Sequence, residues 1–389
     1  MTSSATPRPL DGVRVVEFGH VAAGPFGSML LADLGADVVK VEGPAGDQMR
    51  QWPPLATDGE ERFSHNFASV NRNKRSVLAD LKDPDDLARV RGLCLAADVV
   101  VENYRPGVLA RLGLGYDELA AEHRGLVYAS VSGFGQSGPY AGLGAYDVVI
   151  QAMSGMMSVT GTDEGELVKA GVPVADFTSG LYAALGVVAW LPQVRASGRS
   201  VHLDVPMLDC LLATSALQTS EYWGSGVDPT PRGTRHPRNA PYQVFAAADA
   251  PFVLAAGNDR LWRAVCEVVG DPGLADDSRF AAQDGRVAHQ LELEKLLTER
   301  FAERPAVDWV ERLRAAGVPA GPVNTFGDVL ADPALRESGL VRPYDVPVAG
   351  PSWTTVFPVR ATDTEARLDG AAPRLGEQTA EVLAEWGVA

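Results

Sequence analysis

Short β-rich apolar runs alternate with longer helical stretches through the first half of the chain. Residues 13–18 read as a strand, a Gly24-Pro25 turn follows, and an apolar helical stretch runs through Leu34. Gly35 marks the helix exit, and 38–41 form the next strand. Residues 76–81 alternate as a strand does, 84–96 are helical, and 98–101 are strand again. Pro106 takes the favoured first position of a short helix over 106–112. Residues 125–132 and 200–205 are further strands. Strands alternating with helices imply an α/β fold with a parallel sheet covered on both faces. Ligands of such sheets lie beyond the carboxyl ends of the strands, so the strand-to-helix turns are where chemistry is sought.

The pattern changes near Gly224. Residues 224–241 hold Gly, Pro and Arg without periodicity and read as a linker. Beyond it, 259–269, 290–301 and 306–316 are amphipathic helices of a smaller, helix-rich second domain. Residues 343–358 are again loop and strand-like, and 377–386 form a terminal helix. The longest apolar run, 180–191, is shorter than the roughly 20 residues a bilayer needs and reads as a buried helix.

Charge and composition narrow the partners. Of 389 residues 46% are hydrophobic, enough for a sizeable core. The net charge of −16 disfavours nucleic acid and anionic membranes as partners, and obliges any polyphosphate ligand to find a local basic cluster. Only three cysteines occur, Cys94, Cys210 and Cys266, with no C-x-x-C pair. That favours a reducing cytoplasm over a disulfide framework. Residues 1–9 are polar and carry no signal-peptide core.

Six scattered histidines lack metal-ligand spacing, so no metal is expected. No G-x-S-x-G elbow is present, and Gly133-Phe134-Gly135 lacks the third glycine of a dinucleotide fingerprint. Arg72, Lys74, Arg75 and Lys82 form a basic cluster, with Arg105 and Arg111 on a neighbouring connection. They read either as a phosphate clamp or as a solvated basic face. Asp176, just before the apolar run, reads alone more readily as a helix cap than as a nucleophile, and Thr178 or Ser179 would cap equally well. As a nucleophile, its carboxylate would attack a thioester to give a mixed anhydride that a thiolate reopens. Tyr146, with Asp147, opens another helix and either packs or offers its hydroxyl to a ligand carbonyl. His20 reads as a structural hydrogen-bond donor rather than a base.

In order, L-D-G-V-R-V-V-E-F from Leu10, G-A-D-V-V-K-V-E from Gly35, N-R-N-K-R-S from Asn71 and A-D-V-V-V-E-N-Y-R-P-G from Ala97 resemble the class III CoA-transferases. S-G-F-G-Q-S-G-P from Ser132 and P-V-A-D-F-T-S-G from Pro173 extend the match, which runs more diffusely through A-G-V-P-A-G-P-V from Ala316. The family includes formyl-CoA transferase, the carnitine CoA-transferases and α-methylacyl-CoA racemases. The resemblance implies a Rossmann-like large domain over 1–215 and 330–389, a smaller α+β domain over 225–325, and an interlocked homodimer. It implies that Asp176 accepts the acyl group. Coenzyme A contacts map onto Ala22, Ala23, Ala79, Asp80, Leu81, Lys82, Asn103, Tyr104, Arg105, Arg111 and Tyr146. The substrates implied are an acyl-CoA thioester and a carboxylic acid, with no permanently bound cofactor.

Racemases of the family place a histidine where this chain has Tyr146, and without that imidazole a two-base proton exchange lacks a partner. Transfer is therefore expected, with a racemase or isomerase as the alternative. Where the formyl-CoA enzymes have a glutamine and a second arginine, this chain has Ala22 and Gly43. Their glycine run is replaced by R-G-T-R-H-P-R-N-A-P-Y from Arg232. Arg232, Arg235 and Arg238 could bind the free carboxylate of a dicarboxylic acyl group, which makes succinyl-CoA the donor expected.

Overall fold

The computed structural model describes residues 7–388, so most of the stretch read for a signal peptide lies outside the described residues. The chain divides into two compact units. One comprises the chain up to Met157, Lys169–Asp228 and the stretch from Pro333 onward; the other comprises Ser158–Val168 and Pro229–Asp332. The segment Ser158–Val168, which the sequence reading leaves in the large domain, thus belongs with the second unit.

The first unit is built on six parallel strands: β1 (Arg14–Phe18), β2 (Asp37–Glu42), β3 (Lys74–Leu78), β4 (Val99–Glu102), β5 (Val127–Ser132) and β6 (Val201–Pro206). Their order across the sheet is β3-β2-β1-β4-β5-β6, with Val15 of β1 in register with Val38 and Val99. The valine runs of β1, β2 and β4 are buried, as strands covered on both faces require. The strand order reverses between β1 and β4, which opens a crevice beyond their carboxyl ends.

Two expected elements are shorter than the pattern suggests. The strand read over 76–81 stops at Leu78, and 79–83 turn into the next helix as the Asp80 carboxylate accepts the Lys82 N–H at 3.0 Å. The helix read over 106–112 is a set of turns ending in one 3-10 turn, Ala110–Leu112. Gly107 at φ 78° leaves helical geometry there.

The helices that matter here are α1 (Ala23–Asp33), α2 (Pro84–Leu95), α3 (Tyr116–Glu122), α4 (Asp147–Met153) and α5 (Val174–Ser197). The last corrects the sequence reading most. The run 180–191 is only the middle of a 24-residue helix, long and apolar enough to cross a bilayer. Its Ala175, Gly180, Ala183, Val187, Leu191 stripe is buried in the unit, as in a core helix. Asp176, Thr178 and Ser179, which look like pre-helix residues, are helical themselves.

Two glycines let α1 and α5 cross in backbone contact. A Cβ on Gly27 would stand 2.7 Å from the Gly180 carbonyl oxygen, and one on Gly180 would stand 2.6 Å from that of Ala23. This crossing seats the start of α5 against the start of α1. The chain end closes the other side of the sheet, where Trp386 Nε1 donates to Asp37 at 3.0 Å and Arg75 pairs with Glu381 and Glu385.

The second unit holds a three-stranded antiparallel sheet, β7 (Tyr242–Ala246), β8 (Pro251–Ala255) and β9 (Ala320–Pro322). Helices Asp259–Val268, Gln290–Phe301 and Ala306–Ala315 share with it a core of Phe245, Phe252, Trp262, Phe280, Phe301 and Trp309. Within this unit Arg235 is held by Asp163 and, at 3.0 Å, by Glu294. Its charge is already offset by two carboxylates, which corrects its expected role as a free binder of a substrate carboxylate.

Gly180→Ala should cost about 1–3 kcal/mol of stability, because a methyl group has no space between two backbones. A urea unfolding midpoint equal to the parent's would contradict this reading of the crossing.

Candidate active site

A buried ion network lies under the turn that follows β1. Glu17 accepts from Lys40 at 2.9 Å, Lys74 at 2.8 Å and the Ser28 hydroxyl at 2.6 Å, with both lysine side chains fully buried. Lys40 also pairs with Asp47 at 3.0 Å and donates to the Gly19 carbonyl. Burial alone would raise the Glu17 carboxyl, but the Lys40 and Lys74 ammoniums hold it lowered to about 2. Burial, with Lys40 repelling it, brings Lys74 down to about 8. Gly19 is required beside this network, since a Cβ there would stand 2.4 Å from a Glu17 carboxylate oxygen. Val21 follows at φ 64°, a costly conformation for a β-branched residue, and its N–H donates to Asp47 at 3.2 Å.

The network resolves the basic cluster seen in the sequence. Arg72 pairs with buried Asp33 at 2.5 Å, Lys74 with Glu17, and Arg75 with Asp37 at 2.6 Å. These three are internal counter-ions, neither a phosphate clamp nor a solvated face. Sequence spacing could not reveal this, because their acidic partners come from β1, β2 and α1. Lys82 alone of the four is exposed.

A cavity of about 420 Å³ opens at the strand-order reversal. His20, Val21, Ala22 and Ala23 wall it after β1; Asn103, Tyr104 and Arg105 wall it after β4. Val131, Ser132 and Gly133 line it at the end of β5, and Tyr146 and Asp176 complete it. A two-way clasp ties its first two walls: the His20 N–H donates to Asn103 Oδ1, and Asn103 Nδ2 donates to the His20 carbonyl, each at 2.9 Å. His20 Nε2 and the Tyr104 hydroxyl share a hydrogen bond of 3.0 Å. Burial, then the nearby Lys40 charge, lowers the His20 imidazole, which favours its neutral form. Glu102, at the foot of the second wall, accepts the Tyr104 N–H at 2.8 Å, and burial raises its carboxyl to about 7.

Asp176 occupies the third position of α5, so it is not the cap the sequence suggests. The capping is done from another helix: Asp147 of α4 accepts the Ala175 N–H at 2.8 Å. Ser179 turns its hydroxyl back to the Asp176 carbonyl at 2.9 Å. No hydrogen bond to the Asp176 carboxylate is made among the described residues. Burial, and then the Asp147 charge, raise Asp176 to about 7.

The cavity therefore brings together Ala22, Ala23, Asn103, Tyr104, Arg105, Tyr146 and Asp176. Ala79, Asp80, Leu81 and Lys82 lie outside its lining, in the turn after edge strand β3 on the same carboxyl side of the sheet. Arg111 is also outside, exposed on the connection that begins with Asn103. Lys82, Arg105 and Arg111 make no ion pair among the described residues. Sequence reasoning missed Glu102 and the capping role of Asp147. For Asp147 a signal was present: Gln151 stands four residues on, the spacing at which side chains on a helix meet.

The family model described as CoA-transferase family III matches residues 10–379. The chain belongs to this family. It is an enzyme, a CoA-transferase. It is 40% identical over 385 residues to a succinate–glutarate CoA-transferase of Agrobacterium fabrum, covering 97% of this chain and 95% of that one. It is 36% identical over 379 residues to the succinyl-CoA:glutarate CoA-transferase of Homo sapiens, covering 97% and 86%. The crystal structure of a CAIB/BAIF family protein from Brucella suis superposes with a TM-score of 0.89 at 39% identity, covering 98% of this chain and all of that one.

In this CoA-transferase Lys40→Met should cost about 3–5 kcal/mol, since it removes the ammonium paired directly with buried Asp47. Urea unfolding at pH 7 measures it, and a loss under 1 kcal/mol would contradict the network's role. Glu17 titrates near 2 when folded against an ordinary 4.5. Its contribution is therefore complete above pH 4.5 and is lost as the pH falls toward about 2.

Proposed function

We propose that Asp176 carries the acyl group of succinyl-CoA as a mixed anhydride, and that the CoA passes to a dicarboxylic acid such as glutarate. A carboxylate oxygen of Asp176 attacks the thioester carbonyl carbon. The C–S bond breaks, and CoA leaves as the thiolate, with its electron pair, to give the anhydride. The thiolate then attacks the aspartyl carbonyl, the donor acid leaves as a carboxylate, and an aspartyl-CoA thioester remains. The acceptor carboxylate runs the same steps in reverse. No proton is gained or lost overall, so no general acid or base is needed.

The observation that carries this reading is a carboxylate without hydrogen-bond partners among the described residues, raised to about 7, on the wall of a cavity at the strand-order reversal. A carboxylate kept from full solvation is a stronger nucleophile than one in water. The dicarboxylate specificity rests on the relatives named above. Racemisation is the weaker alternative. His20 is the one histidine lining the cavity among the described residues, and its Nε2 is engaged by Tyr104.

We place CoA along Ala22, Ala23, Asn103, Tyr104, Arg105 and Tyr146, with its phosphates toward Arg111 and the Ala79–Lys82 turn. Lys82, Arg105 and Arg111, exposed and without ion-pair partners among the described residues, would supply the local positive charge that a polyphosphate needs on a chain of net charge −16. We also propose self-association as an interlocked homodimer. Its support is an apolar surface: Leu181 and Leu185 on α5 are 54% and 59% exposed, and Leu217 and Trp223 are 63% and 79% exposed. Sedimentation equilibrium should give about twice the chain mass of 41.2 kDa. A monomer at micromolar concentration would refute the pairing.

Incubation with succinyl-CoA and hydroxylamine should leave a hydroxamate on Asp176, and Asp176→Ala should reduce exchange at least about a thousandfold. The acid form of Asp176 is not nucleophilic, so kcat/KM for succinyl-CoA should rise with pH through about 7 and then level. Exchange by Asp176→Ala at the parental rate, or deuterium uptake at the α-carbon without an acceptor acid, would overturn the reading.

A further inference from the structure

Two side chains outside the cavity hold the segment that delivers Asp176. Gln151, fully buried on α4, accepts the Ala170 N–H on its Oε1 at 2.8 Å. Its Nε2 donates to Asp147 Oδ2 at 2.6 Å, and Asp147 Oδ1 accepts the Ala175 N–H at 2.8 Å. The chain between Ala170 and the start of α5 at Val174 has no regular structure. It is fixed at both ends by this one pair of side chains, and the second fixed point lies one residue before Asp176.

We propose that Asp147 and Gln151 are positioning residues that act as a two-point clamp on 170–175 and set where the Asp176 carboxylate stands in the cavity. The proposal rests on Asp176 being the acyl carrier. Each polar atom of the clamp has one partner that suits it. The carboxylate accepts twice, while the amide donates once and accepts once. Neither residue lines the cavity, so the clamp acts through backbone placement. For a nucleophile, a shift of about 1 Å costs on the order of a hundredfold in rate. An ordinary structural role would instead lower stability and leave the turnover of folded protein alone.

The hydrogen-bond logic gives a test by exchange. Asp147→Asn sets two amide donors against each other. Gln151→Glu sets two carboxylates against each other. The double variant Asp147→Asn/Gln151→Glu restores every bond: the new amide accepts from Ala175 and donates to the new carboxylate, which accepts from Ala170. With succinyl-CoA and glutarate, each single variant should lose roughly 10- to 100-fold in kcat. CoA affinity by calorimetry should stay within about twofold, since the walls of the cavity are untouched. The double variant should recover most of kcat.

Hydroxylamine trapping on the parent protein runs alongside. If the parent traps at Asp176 and the single variants turn over at its rate, the clamp is wrong while the carrier reading stands. The clamp is equally wrong if the double variant shows the product of the two single losses, or does not fold. If the parent does not trap and Asp176→Ala remains active, the carrier reading is wrong and the clamp falls with it.

Discussion

Everything at the carboxyl edge of the sheet stands on the pairing of Glu17 with two buried lysines. A carboxylate at the end of a central strand would be intolerable in an apolar layer without compensation. Lys40 and Lys74 reach it from β2 and β3, so one charge ties three strands at the level where the chain leaves them. The same Lys40 fixes Asp47, Asp47 fixes the Val21 N–H, and Val21 is thereby kept at a backbone conformation it would not choose. The first wall of the cavity is thus held from below by ions and from the side by the Asn103 clasp.

The opposite wall depends on steric rather than electrostatic economy. Gly27 and Gly180 let α1 and α5 touch backbone to backbone, which sets the first turn of α5, and Asp176 with it, beside the start of α1. Larger residues would separate the helices by the width of a side chain. The carboxylate would then retreat from the crevice that the strand order opens. The irregular segment before α5 is tied at its two ends by Gln151 and Asp147.

The parallel strands and their rough limits were legible in the sequence because valine runs are local signals. The fate of the basic cluster was not. Arg72, Lys74 and Arg75 look alike on paper, and only pairing with Asp33, Glu17 and Asp37 across the sheet separates counter-ions from ligand-binding cations. The helix start was misplaced for a related reason. Asp176, Thr178 and Ser179 have the composition of a cap, but the first turn of α5 is capped by a residue from α4, which a local rule cannot see. In the second unit β9 was lost to length, since it spans three residues.

The acid–base state of Asp176 follows from the same non-local placement. A helix start ordinarily stabilises a carboxylate and lowers its pKa. Here Asp147 takes the Ala175 N–H and brings a second negative charge, so Asp176 gains repulsion where it would have gained stabilisation. Burial is the larger cause of the rise, and together they bring the group to about 7. On the proposed mechanism, a carboxylate so destabilised would be relieved on becoming an acyl anhydride, because that form is neutral. The charge would then reside on the departing thiolate. On that mechanism the placement that makes Asp176 costly to ionise also favours its acylation, and Asp147 contributes to both by capping α5 in its place.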